Sequence, residues 1–438
     1  MNPDRDKQQA FKGSILFFTD DPDRIDPNEA FTYYEEGLLL VEGGYIKEAG
    51  PFAELEKTLP PQTEITDYSG KLIIPGFVDT HIHYPQTDII ASYGKQLLEW
   101  LEKCAFPIEG KFDDAEYANE VADFFLRELL KNGTTTAQVM GTVHQQSADI
   151  LFQKSLEKNL RLITGKTLMD CNAPDYLLDD DSKGFDSSME LIEKWHDKGR
   201  LSYAVTPRFA ITSTESQLEK TAELLKTRMG LYLHTHLSEN RDEVKMIKTL
   251  FPWSRDYLDV YERFELIGPR TTLAHSIHLS PLELDQIAIS AAAISFCPSS
   301  NLFIGSGLFN LEQANAAEIP VGIGTDVGGG TSFSVLKTLA EGYKVLQLQG
   351  QSLSPLKGFY LATLGGARAL DLDDKIGTFL PGREADFTVL SFNATPLIER
   401  RVAMSETLSE RLFILMMLGD ERSISETYLM GTPIGPSS

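Results

Sequence analysis

Residues 75–86 read PGFVDTHIHYPQ. An apolar, β-branched run ends there in an aspartate and two histidines one residue apart, and it reads back to Lys71 as a single strand candidate, KLIIPGFVDTH. Residues two apart on a strand face the same side, so His81 and His83 can point together at one place. The chain spends two of its eight histidines here and repeats the His-x-His pattern at His234 and His236.

Outward from this stretch the same rhythm recurs, a short strand-like run followed by a helical segment. GTTTAQVMG, RLITGKTLM, LSYAVTPRF, LYLHTHLSE, TTLAHSIHL, AISFCPSSN and VGIGTDVGG follow the first strand, giving eight between Lys71 and Gly330. DDAEYANEVADFFLRELLKNG opens on Asp113 and Asp114 as caps and closes at Gly133, and STESQLEKTAELLKTRMG ends on Gly230. Eight strands alternating with helices predict an α/β fold, a (β/α)8 TIM-type barrel. A doubly wound open sheet is the rival, but the glycine-rich turn that usually follows its first strand is missing. The flanks differ in texture: GLLLVEGGYIKEAG, PGREADFTVLSF and TYLMGTPIG read as short alternating strands. Neither flank is large enough for a core alone. We expect residues 1–72 and 372–438 to pair into one small composite β-sandwich domain, with the barrel, 73–371, between them.

A net charge of −24 argues against nucleic acid and against an anionic membrane surface, both of which would repel it. QIAISAAAISF is the nearest approach to a membrane span and is too short. The polar start, MNPDRDKQQAFK, lacks the apolar core of a secretory signal. Cys104, Cys171 and Cys297 lie far apart and form no CxxC pair, so the expected compartment is the reducing cytoplasm.

Working residues of such a barrel sit at the carboxyl ends of its strands. His81 and His83 end the first strand, His234 and His236 the fifth, His275 and His278 the sixth, and Asp326 the eighth. Two His-x-His pairs with further histidines and a carboxylate at strand ends predict a metal site. That donor set suits zinc, with iron as the alternative. Glu239, three residues past His236, is positioned to move a proton; as part of SENRDEVKMIK it also reads as an acid at a helix start. A two-metal site needs a bridging anion, often a modified lysine on a middle strand. The fourth strand has no lysine and Lys166 on the third reads as a structural ion pair, so one metal per subunit is expected. The acidic stretch MDCNAPDYLLDDDSKG reads as part of the mouth without an assigned role. GGGTSF lacks the Gly-Lys-Ser/Thr ending of a phosphate loop and reads as a tight turn that lets backbone approach a ligand.

PGFVDTHIHYPQ, HTHLSEN, AHSIHL, CPSSNLFIGSGLF and GIGTDVGGG together resemble the amidohydrolase superfamily, in its mononuclear metal-dependent deaminase branch. Within that branch the guanine deaminases are most similar, through HYPQ, PRF and NLFIGSGLFN. The resemblance covers nearly the whole chain. It implies zinc-dependent hydrolysis of guanine to xanthine and ammonia. It implies that His81, His83, His236 and Asp326 hold the ion, with His275 beside the attacking water as ligand or hydrogen-bond partner. Glu239 would shuttle the proton and Asp326 would take one from that water. His234 would then be a neighbour in the wall, and His278 would stand outside the ligand set. Arg208 and Gln86 would hold the 6-oxo group and Phe209 would face the flat ring, with His83, His236, Glu239 and Asp326 also touching substrate. Each has a plainer reading: an arginine paired at the barrel rim, a glutamine in solvent, a phenylalanine in the core. The resemblance also implies a homodimer. The nearest alternative is a deaminase or chlorohydrolase of the same fold acting on another aminated heterocycle, 8-oxoguanine, a pterin or a triazine, and an inactive binding protein is the remote one. The Pro-Cys-x-x-Cys signature of the other zinc nucleobase deaminases is missing, so a base deaminase here would use a different fold.

Overall fold

The computed structural model describes residues 8–61, 63–94, 96–179 and 183–434. Among these residues, eight parallel strands lie side by side in sequence order: β1 (Phe77–His83), β2 (Thr134–Met140), β3 (Arg161–Gly165), β4 (Leu201–Pro207), β5 (Tyr232–Leu237), β6 (Thr271–His275), β7 (Ala293–Phe296) and β8 (Val321–Ile323). A short strand, Thr167–Leu168, also pairs with β4. The last strand returns to the first. Asp326 N donates to the His81 carbonyl and His83 N to the Val327 carbonyl, both at 2.9 Å, and Thr80 Oγ1 donates to the Ile323 carbonyl at 3.1 Å. The sheet is therefore a nearly closed barrel, and the open doubly wound order is ruled out. Except for Ser202, every residue of the eight strands is buried, as expected of parallel strands covered on both faces.

The helices between them start and stop where local chemistry directs. Asp114 Oδ1 accepts from Glu116 N at 2.9 Å to cap Ala115–Lys131, while Asp113 belongs to the preceding 3-10 turn, Gly110–Asp113. Thr214 caps Glu215–Thr227 by accepting from Gln217 N.

Besides Asp113, the structure corrects the sequence reading in two further places. The run from Lys71 is not one strand. Ile65–Pro75 belongs to a separate sheet, and β1 begins at Phe77. Gly76 stands between them, and a Cβ there would sit 2.1 Å from Thr135 Oγ1, so no other residue lets the chain pass the start of β2. The C-terminal flank, expected to be all strand, also carries two helices, Pro396–Val402 and Leu408–Leu418. The second buries Leu412, Ile414, Leu415 and Met416 against the helices Val335–Gln347 and Pro355–Tyr360. Its core, LFILMML, is apolar all round, so periodicity could not separate helix from strand there.

Both flanks enter one sheet. Among the described residues its seven strands run in the order Thr432–Pro433, Ile424–Leu429, Phe387–Ser391, Ile65–Pro75, Gln9–Phe18, Phe31–Glu42 and Tyr45–Pro51. The rings of Phe387 and Tyr428 stack at 4.3 Å, with Phe11 edge-on at 4.9 and 5.0 Å. Buried charge joins this sheet's segment to the barrel: Arg161 Nε donates to Glu384 Oε2 at 3.0 Å, and Arg200 Nη1 donates to Asp386 Oδ1 at 2.8 Å.

Lys166 forms the expected ion pair, its Nζ 2.5 Å from Asp179. That aspartate comes from the acidic stretch, and Asp170 in the same stretch accepts from Thr214 N. Residues 180–182 of the stretch lie outside the described residues. No helix among the described residues is long and apolar enough to cross a membrane.

Candidate active site and metal centre

The carboxyl ends of β1, β5 and β6 and the turn after β8 converge. His81 Nε2 lies 3.2 Å and His83 Nε2 3.4 Å from Asp326 Oδ1. His83 Nε2 lies 3.3 Å from His236 Nε2. His275 Nε2 completes the cluster, 3.7 Å from Asp326 Oδ2. One ligand atom each from His81, His83 and His236 falls within 4.8 Å of the others, and so does one each from His81, His275 and Asp326. Burial holds these imidazoles far below their ordinary pKa, His81 at about 3. They are neutral rings offering lone pairs, not partners in ion pairs.

Neighbouring groups fix which ring nitrogen faces inward. His236 Nδ1 donates to the Arg208 carbonyl at 2.8 Å, leaving Nε2 with its lone pair toward the cluster. His81 Nδ1 shares a 2.7 Å hydrogen bond with His234 Nε2, so His234 positions a neighbour and does not face the cluster itself. Asn301 Nδ2 donates to His275 Nδ1 at 2.8 Å, so His275 Nε2 carries the ring proton and points an N–H at the cluster. His81 Nε2 and His275 Nε2 are then buried with no hydrogen-bond partner. Orphaned buried polar atoms are costly, and the unpartnered His81 Nε2 beside Asp326, together with the Nε2 atoms of His83 and His236, fits a divalent cation.

The backbone is bent to make this arrangement. Ser238, His275, Ser276 and Asp326 all have positive φ, between 48° and 69°. Such conformations cost energy in non-glycine residues and cluster at functional sites. They are held by bonds between strand ends: Ser276 N donates to the Leu237 carbonyl, and Ile277 N and His278 N both donate to that of Ser238. The aspartate of PGFVDTH supports the same corner. Asp79 is fully buried and accepts from Thr325 N at 3.1 Å and from Thr325 Oγ1. Burial pushes its carboxyl up to about 7. After Asp326 the chain turns so tightly that a Cβ on Gly330 would lie 1.8 Å from the Thr325 carbonyl oxygen.

Glu239 is not a helix cap. Asn240 caps the helix Arg241–Leu250, and Glu239, one residue earlier, turns inward. Its Oε2 is 3.5 Å from His275 Nε2, and its Oε1 accepts from Ser306 Oγ at 2.9 Å. Burial first, and then the nearby Asp326, raise its carboxyl well above the usual range. His278 sits outside the cluster, its Nε2 bonded to the Ser306 carbonyl at 2.8 Å.

A cavity opens beside this cluster. His83, His236, His275, Asp326 and Glu239 form its floor, Gln86, Arg208 and Phe209 one wall, and Leu97, Trp100, Leu101 and Ile304 much of the remainder. His81 and His234 do not line it. Gln86 and Arg208 are both 2% exposed and Phe209 4%.

A family model described as the amidohydrolase family matches residues 72–433. The chain belongs to the amidohydrolase family. It is 50% identical to the guanine deaminase of Escherichia coli strain K12 over 426 residues, 97% of each chain. The solved structure of the E. coli guanine deaminase superposes with a TM-score of 0.96 at 49% identity, covering 98% of this chain and all of that one. The guanine deaminase of C. acetobutylicum, solved with guanine bound in its active site, gives 0.88 at 29% identity, covering 98% of this chain and all of that one.

For a member of this family the histidines and the aspartate announce themselves in the sequence; the groups that hold them do not. Sequence reading missed Glu109, which pairs with Arg208 at 2.7 Å, and the walls Leu97, Trp100 and Leu101. It flagged NLFIGSGLFN without singling out Asn301 or Ser306. Their only signal was proximity to recognised residues.

Proposed function

We propose that this chain hydrolyses guanine to xanthine and ammonia, with one zinc ion per subunit held by His81, His83, His236 and Asp326 and with His275 beside it. The observation that carries the reading is the convergence of ring nitrogens of His81, His83, His236 and His275 on Asp326, beside a cavity that His83, His236, His275, Asp326 and Glu239 line together with Arg208 and Gln86. Close likeness over the full chain to guanine deaminases supports it. A zinc so held supplies a Lewis acid that lowers the pKa of water toward neutrality.

The chain's own groups do the rest. Asp326 accepts a proton from the attacking water and His275 orients that water by hydrogen bonding. Glu239 gives a proton to the ring nitrogen beside the attacked carbon; Asp326 then passes the proton it took from water to the amino group, whose bond to carbon breaks to release ammonia, and Glu239 takes back a proton from the new hydroxyl as the carbonyl of xanthine forms. Arg208 and Gln86 donate to the 6-oxo oxygen, Phe209 packs on the ring, and Leu97, Trp100 and Leu101 keep bulk water out. The reading includes a homodimer in the cytoplasm; light scattering tests the former and fractionation the latter. Iron in place of zinc would leave these roles unchanged.

The decisive experiment measures ammonia release by zinc-supplied protein from guanine, adenine, cytosine, 8-oxoguanine, a pterin and an aminated triazine. Guanine should be turned over fastest. Preference for another member of the panel replaces the substrate, and no release from any of them overturns the reading.

A further inference from the structure

Arg208 reaches the cavity as one half of a buried pair. Its Nη1 donates to Glu109 Oε2 at 2.7 Å. The other oxygen of the same carboxylate, Oε1, accepts from Gln86 Nε2 at 2.9 Å. Gln86 Oε1 in turn accepts from Gly328 N at 3.3 Å. All three side chains are essentially inaccessible, Glu109 at 0% and the others at 2%, and Phe106 covers the guanidinium, its ring centre 5.5 Å from the guanidinium carbon.

A glutamine amide can present either a donor or an acceptor, and turning it over exchanges them. Here both ends are spoken for. An ionised carboxylate only accepts, so Glu109 admits only the NH2 end of Gln86; a backbone N–H only donates, so Gly328 admits only the oxygen. The amide is pinned in one sense. By inventory, the N–H groups left over on the two lining residues, one on Gln86 and four on Arg208, outnumber the single lone pair left on Gln86 Oε1, and Glu109 itself does not line the cavity.

We propose that Glu109 is a positioning residue that makes this wall predominantly hydrogen-bond donating and thereby selects 6-oxopurines over 6-aminopurines. The inference rests on reading the cavity as a purine site. A 6-oxo oxygen accepts and finds partners on such a wall. A 6-amino group would meet donors with donors and leave both sides unpaired in a dry site, the situation that gives hydrogen-bonding pockets their largest discrimination. Glu109→Gln removes the acceptor-only group. The new amide can accept or donate, Gln86 is free to turn over, and Arg208 loses the charge that holds it in place.

The test compares wild type, Glu109→Gln and Gln86→Met, all loaded with zinc. It measures kcat and KM for guanine, calorimetric affinity for hypoxanthine and for adenine, zinc content and thermal midpoint. In Glu109→Gln the KM for guanine should rise by about ten- to a hundredfold, the worth of one hydrogen bond to a charged group, with kcat changing far less. The ratio of hypoxanthine to adenine affinity should fall by a similar factor while zinc content stays at the wild-type level. A merely structural role would lower the thermal midpoint and weaken both ligands alike, leaving the ratio unchanged, and that result overturns the proposal. Gln86→Met keeps the Glu109–Arg208 pair and removes the pinned amide. The ratio should fall there too, and an unchanged ratio again overturns the proposal even if Glu109→Gln does not fold. Failure of the wild type to release ammonia from guanine is a separate result, which removes the proposed activity while leaving the two affinities readable.

Discussion

Glu239 shows how much one side chain's direction decides. Its position ahead of a helix fits a dipole-complementing acid as well as a proton carrier, and only the inward turn at Ser238, whose φ is 48°, separates the two. Because Glu239 bonds to Ser306 and approaches His275 without joining the histidine cluster, Glu239→Gln should retain metal while kcat for guanine falls by about 10²–10⁴-fold. Metal analysis and steady-state kinetics on one preparation check both halves. Arg208→Lys should not be a mild change. A lysine keeps the charge but not the fork that reaches Glu109 and the cavity together, so the KM for guanine should rise by at least about tenfold, read from the same assays. The ligand candidates were legible in sequence because spacing by two on a strand is a strong pattern and histidine is rare. Glu109 was not. It is one acid among many, at the end of the four-residue helix Phe106–Glu109 in an irregular segment, and nothing local marks it as the partner of a residue a hundred positions away.

At the scale of the element, the helix Arg241–Leu250 fixes the loop that carries Glu239. Its capping box is closed by Glu243, whose Oε2 accepts from Glu239 N at 2.8 Å and from Asn240 N at 2.9 Å. Burial pushes the Glu243 carboxyl from its usual 4.5 up to about 7, against the opposing hydrogen bonds. A carboxyl that binds its proton more tightly when folded favours the fold most below its unfolded pKa. That contribution is lost as the pH rises through the folded value. Glu243→Gln removes the titration. Between about pH 4.5 and about 7 its stability should therefore rise relative to wild type, by roughly 1–3 kcal/mol, read from urea midpoints across that range. Element type was largely readable from periodicity and caps, as at Asp114 and Thr214. It failed where two elements met without a polar break. The last residues of Ile65–Pro75, LIIP, and the start of β1 read as one apolar run in sequence, and only the close approach at Gly76 divides them.

At the scale of the whole molecule, the barrel supplies the strand ends and the seven-stranded sheet is tied to its opposite side. Arg161 and Arg200 on the barrel face Glu384 and Asp386, each of the four at most 9% exposed. Glu384→Ala leaves Arg161 buried without its partner, so it should cost about 3–5 kcal/mol of stability. The active site is built at the other strand ends and should keep its kcat. A denaturation curve and a guanine assay on the same variant check this. The architecture was legible because eight alternations allow few arrangements; the ion pairs that dock the flanks were not, because their partners lie more than a hundred residues apart.

The chemistry depends on a single divalent cation held by residues distant in sequence. Anomalous diffraction at the zinc edge from crystals of the zinc-loaded protein should show one peak per chain, within about 2.0–2.2 Å of a ring nitrogen of His81, His83 and His236 and of an Asp326 oxygen. No peak there, or a peak bound elsewhere while guanine is still hydrolysed, would contradict it.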